Sequence, residues 1–170
     1  MNNLKILVVD DDPATVSLLE RRLKNAGYEI ETADNGAEAV RLISKCHFDV
    51  VLTDLMMPGG LDGMGVLEAA RQMSNRTEVI LITAYASVDN AVEAMKKGAT
   101  DYLQKPVNCD ELLLRLEKIS NLKTLIRDAG DLREAMDITE ANAAQTIQNL
   151  EMEVARLQKK LSEIRKIVSE

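Results

Sequence analysis

Aromatic side chains are almost missing: one Phe, three Tyr and no Trp make up 2% of the 170 residues. A core must then be packed from Leu, Ile, Val, Ala and Met, which suits α/β layers or helical bundles. Histidine is scarcer still. His47 is the single one, which excludes His-based triads and His-rich metal sites and leaves it the role of a polar residue at a helix end. Cys46 and Cys109 stand far apart with no CxxC or metal-ligand spacing, so they read as small core or surface residues. Positive charge is in deficit, with 21 Lys and Arg against 28 Asp and Glu. A free-standing nucleic-acid surface would need the opposite balance, so direct nucleic-acid binding is not expected. No apolar run approaches the length of a membrane span, and Met1-Asn2-Asn3-Leu4-Lys5 enters a strand without a signal-peptide pattern. These absences make a cytoplasmic protein with no membrane partner the expectation.

What is present is a repeated alternation. Short apolar runs at Leu4 to Val9, Tyr28 to Ala33, Phe48 to Thr53, Val79 to Ile82 and Asp101 to Leu103 each precede a stretch of helical spacing. Helix starts carry capping residues: Asp12 before Pro13, Asn35 with Glu38, Asp62, Ser87, and Asn108 with Glu111. Gly27 and Gly98 close two of the helices. Strand and helix alternating five times predict an α/β fold, a doubly wound five-stranded parallel sheet of order 2-1-3-4-5, flavodoxin-like.

From about Leu112 the apolar runs cease and helical periodicity continues to the end. Leu122, Leu125, Ala129, Leu132, Met136, Thr139 and Ala143 step by three and four. After a four-residue slip, Ile147, Leu150, Val154, Leu157, Leu161, Ile164 and Val168 resume. This is a heptad seam with one stutter, and it predicts a coiled-coil extension over 127–170 behind a domain at 1–126. Branched residues at a with mainly Leu at d favour a parallel pair. In that register, however, Lys160 faces Arg165 of the partner copy, so an antiparallel or four-helix arrangement stays open. Asp128-Ala129-Gly130-Asp131 suggests a hinge. The basic cluster Arg156, Lys159, Lys160, Arg165 and Lys166 complements a helix C-terminus.

Functional residues gather where the strands end. Val50-Val51-Leu52-Thr53-Asp54 is an apolar run stopping on a carboxylate, the first strand discharges into Asp10-Asp11-Asp12, the fourth ends on Thr83, and Lys105 follows the fifth. In the predicted order the winding direction switches between the first and third strands, so the aspartates converge on one crevice. Carboxylates packed together repel one another and call for a cation. A hard ion held by few carboxylates and several waters is Mg²⁺. Such a site suits phosphoryl transfer onto Asp54, with Lys105 and the ion neutralising phosphoryl oxygens and Thr83 donating to one of them. An ionised carboxylate needs no base, in keeping with the shortage of His.

Val8-Val9-Asp10-Asp11, Asp54 with Met57-Pro58, Asp62-Gly63, Thr83-Ala84, Tyr102 and Lys105-Pro106 together make the chain from about Leu4 to Leu125 resemble the receiver domain of the two-component response regulators. The resemblance implies Asp54 as phospho-acceptor, Asp11 as a direct Mg²⁺ ligand, Asp10 as a ligand through water, and the Met56 carbonyl as a further ligand. It also implies Thr83 and Tyr102 as a switch pair, Lys105 as phosphate partner, and a cis peptide before Pro106. A histidine kinase or phosphotransfer protein would donate the phosphate, and the fifth helix and coil would form a homodimer. The chain would be a signalling domain rather than an enzyme.

The stretch Leu81 to Ser87 with Asp101 to Pro106 is similar to receivers of the nitrogen-regulation type, which precede an ATPase and a DNA-binding domain. This sequence has no GxxxxGK[ST] loop and no basic helix-turn-helix. The turn Pro58-Gly59-Gly60-Leu61-Asp62-Gly63 is one residue longer than the family's common form. Two other readings compete. Asp10-Asp11-Asp12 contains the DxD pattern of the haloacid-dehalogenase phosphatases, with Asp10 as nucleophile and Asp12 as general acid, although Pro13 and the absence of a late acidic pair speak against it. Alternatively, an inert receiver could stand on a constitutive scaffold.

Overall fold

The computed structural model describes residues 4–168, except the side chains of residues 160, 161 and 163–168. Ten elements follow in order: β1 (Lys5–Val9), α1 (Pro13–Asn25), β2 (Glu29–Ala33), α2 (Gly36–Lys45), β3 (Val50–Asp54), α3 (Gly63–Met73), β4 (Glu78–Thr83), α4 (Val88–Lys96), β5 (Asp101–Gln104) and α5 (Cys109–Val168). The strands form one parallel sheet in the order β2-β1-β3-β4-β5. The expected fold class is the observed one.

The helices begin where the sequence offers caps. The Asp12 carboxylate accepts from the amides of Ala14 and Thr15 and from the Thr15 hydroxyl. Asn35, Asp62, Ser87 and Asn108 each accept from amides in the first turn that follows. Each satisfies donors that a helix leaves orphaned.

Two apolar clusters fill the two faces of the sheet. Leu7, Val9, Val51, Val79 and Leu81 meet Ala39, Val66, Leu67, Ala70 and Ala94 from α2, α3 and α4. On the other face Ile6, Val8, Val50, Leu52, Ile80 and Ile82 meet Leu19 and Leu23 of α1 and Leu112 and Leu116 of α5. β3 is buried at all five residues. This is why its sequence shows a continuous apolar run rather than alternation. Truncating Leu52 or Leu67 to Ala would cost about 2–5 kcal/mol, because each is fully enclosed.

Residue contacts divide the chain into one unit ending at Leu122 and another starting at Lys123. In the second unit α5 is helical without interruption through Gly130. The hinge read from Asp128 to Asp131 is therefore not a break: a glycine inside a helix weakens it without ending it. The seam positions Leu161, Ile164 and Val168, and Lys160, Arg165 and Lys166 of the basic cluster, have side chains outside those described. Among the described residues, no helix is long and apolar enough to cross a membrane.

Candidate functional site

β1 and β3 are neighbours in parallel register, with Val9 beside Thr53, so Asp10 and Asp54 emerge at the same sheet edge. Asp10 and Asp54 are buried, and Asp11 is exposed. One carboxylate oxygen from each of the three lies within 4.8 Å of the others. Three like charges so close are unfavourable unless cations share the space.

Lys105 brings one such cation. Its Nζ stands 2.7 Å from Asp10 Oδ2 and donates to Asp54 Oδ2 at 2.5 Å. Two backbone bonds aim it there: the Lys105 amide donates to the Thr83 carbonyl, and the Leu55 amide to the Ile82 carbonyl, tying the ends of β3, β4 and β5 together. The Lys105-Pro106 peptide is cis. Burial pulls the Lys105 amine down, yet its bonds to Asp10 and Asp54 outweigh that and raise its pKa. Burial pushes the Asp10 carboxyl up, against the lowering influence of Lys105 and the Asp12 amide. The other Asp54 oxygen accepts from the Met56 amide at 3.0 Å.

Thr83 is fully buried, and its hydroxyl accepts from the Tyr85 amide at 3.2 Å. Tyr102 packs against the α2–α4 side of the core, and its enclosed hydroxyl has no hydrogen-bond partner among the described residues. Met56 has an exposed side chain and offers the site its backbone. The longer turn after Met57 is absorbed by Gly59 and Gly60, both with positive φ in open surroundings. Non-glycine residues rarely adopt that conformation.

Two residues outside the chemistry shape the surroundings. A Cβ on Gly63 would lie 2.2 Å from the Asp54 carbonyl oxygen, so glycine lets α3 start against the end of β3. Arg71 of α3 donates Nε to the Gly98 carbonyl at 2.8 Å and Nη1 to the Thr77 carbonyl at 2.9 Å, fastening the turn after α4. The Asp62-Gly63 pair signalled the first, but nothing in the sequence signalled Arg71.

The family profile of the response regulator receiver domain matches residues 6–117. The chain belongs to that family. Among curated relatives, the receiver is 39% identical over 132 residues to the regulatory protein AtoC of Escherichia coli K12, a match covering 78% of this chain and 28% of AtoC. The chain thus spans little more than a quarter of that relative. The receiver domain of the Francisella response regulator 1452 superposes with a TM-score of 0.66 at 36% identity, covering 71% of this chain and 99% of that one. A response regulator of Burkholderia pseudomallei, solved with a phosphorylated aspartic acid, a calcium ion and citrate, superposes with a TM-score of 0.63 at 29% identity. That match covers 73% of this chain and 72% of the other. Family membership favours the receiver over the phosphatase reading of Asp10-Asp11-Asp12.

Proposed function

We propose that the receiver, over residues 1–126, accepts a phosphoryl group on Asp54 from a histidine kinase or phosphotransfer protein, and that the tail, 127–170, transmits the result. The observation that carries this is the Lys105 bridge between Asp10 and Asp54 inside a cluster of three carboxylates. An Asp54 oxygen forms the new bond to phosphorus, while the bond from phosphorus to the donor's leaving atom breaks and that atom keeps the electron pair. Lys105 exchanges its contact with Asp54 for one to a phosphoryl oxygen, neutralising charge where it accumulates. Thr83 turns its hydroxyl to another phosphoryl oxygen and releases the Tyr85 amide, loosening the chain before α4. Tyr102 shifts in the space this opens, and its hydroxyl gains a partner.

The donor set fits a divalent cation: three carboxylates share one crevice with a single lysine amine opposing them. Asp11, Asp10, Asp54 and the Met56 carbonyl would hold Mg²⁺, which supplies positive charge for the phosphoryl oxygens. The phosphorylated aspartic acid and calcium ion of the Burkholderia relative support the same assignment. The exposed apolar residues of α5 support self-association as a homodimer through the fifth helix and coil.

Labelling by a small acyl phosphate with Mg²⁺ tests the proposal. One stable label per chain is expected on the wild type and none on Asp54→Asn. Label retained on Asp54→Asn and lost on Asp10→Asn would overturn it in favour of the phosphatase.

A further inference from the structure

In the second unit the apolar seam has no cover. Leu132, Met136, Ile147, Leu150, Val154 and Leu157 are all at least half exposed. Ala129, Thr139 and Ala143, small seam residues, are exposed as well. A stripe of this length at heptad spacing needs a partner helix. Resting on the reading that this tail self-associates, we propose that it pairs with one second copy in antiparallel orientation, with the two-fold axis at Ala143, the residue beside the stutter.

The residue spacing carries this. In an antiparallel pair each a residue sits opposite a d residue of the other chain. About Ala143 every layer meets that condition: Thr139 opposite the partner's Ile147, Met136 opposite the partner's Leu150, Leu132 opposite the partner's Val154, and Ala129 opposite the partner's Leu157. The slip from Ala143 to Ile147, which interrupts a parallel heptad, falls where the symmetry axis crosses and so keeps both halves in phase. Sizes agree as well. A parallel in-register pair stacks Ala129, Thr139 and Ala143 each on itself, giving three thin layers. The antiparallel pair sets Ala129 against Leu and Thr139 against Ile, leaving only Ala143 on itself, and alternation of large and small fills space more evenly.

Charge points the same way. Flanking residues meet like position with like position in an antiparallel coil, which brings Arg133 beside the partner's Glu151, twice by symmetry. Among the described residues, no like-charged flanking pair arises in this register. At a rise of about 1.5 Å per residue, the Lys123 ends of the two tails then lie about 60 Å apart.

Cross-linking in the full chain distinguishes the arrangements, with Cys46→Ser and Cys109→Ser removing the native thiols. Met136→Cys and Leu150→Cys, made as separate variants and mixed, should give a 136–150 disulfide in a species with the mass of a dimer, and neither variant alone should cross-link. Leu132→Cys mixed with Val154→Cys should behave identically. A second measurement needs no cysteine: Arg133→Glu should weaken the dimer at least tenfold, and Glu151→Arg in the same chain should restore it. Homodimeric cross-links at 136 and at 150, or no rescue by Glu151→Arg, would overturn the antiparallel pairing and leave self-association standing. A cross-linked tetramer would overturn the two-chain assembly. A monomer at all concentrations would overturn both this pairing and the coil on which it rests.

Discussion

Lys105 holds the aspartates together, so removing it leaves their charges opposed only by solvent. With a chelator present, Lys105→Met should lower stability by roughly 2–3 kcal/mol, less than for a fully buried pair because the lysine is partly exposed. Urea denaturation would show the loss, and added Mg²⁺ should recover part of it. Asp10 gives the opposite sign. Its carboxyl is raised by burial, so the native state holds that proton more tightly than the unfolded chain. Its contribution to stability is then fully present below the unfolded-state value and is lost as pH rises through the folded-state value. Asp10→Asn should therefore remove this decline and make the chelated protein more stable at pH 7, as urea midpoints taken across pH would report. A gap between wild type and Asp10→Asn that moves in favour of the wild type as pH rises over that window would contradict the assignment.

At the scale of elements, the site is held by contacts between helices and strand ends that sit outside its chemistry. Gly63→Ala would drive a methyl group into the backbone carbonyl of Asp54, which has little room to move. A cost of about 3 kcal/mol or more is expected, with loss of labelling on Asp54 as the chain end shifts. Arg71→Met removes the charged donor bonds to Gly98 and Thr77. It should cost about 2 kcal/mol and speed amide exchange at Gly98 and Ala99 while leaving β3 unchanged. These residues also mark where the sequence stopped being informative. Asp54 and Thr83 were legible because a buried parallel strand reads as an apolar run and its last residue stands out, and Lys105 because it stands just past the fifth strand beside Pro106. The caps at Asp12, Asn35 and Ser87 were legible because they act on amides two or three residues away. Arg71 was not, because the main acceptors that hold it include the Gly98 carbonyl, 27 residues along the chain, and the Thr77 carbonyl, and every residue type supplies a carbonyl.

For the molecule as a whole, phosphorylation matters only if it changes what the tail does. Wild type treated with acyl phosphate and Mg²⁺ should shift its self-association constant by a factor of about 5–150, the usual range of coupling between two sites. Asp54→Asn should show no shift. Sedimentation of both proteins across a concentration series would measure it, and identical curves for treated and untreated wild type would mean that tail and receiver act independently.

The sheet's outer strands carry a last consequence. β2 contributes Glu29 and Glu31 at one border, and β5, four residues long, places Asp101 at the other. Unpaired peptide groups along such borders invite neighbouring sheets to join, and acidic side chains on a short strand discourage it. Concentrated solutions of this protein should accordingly stay free of fibrils.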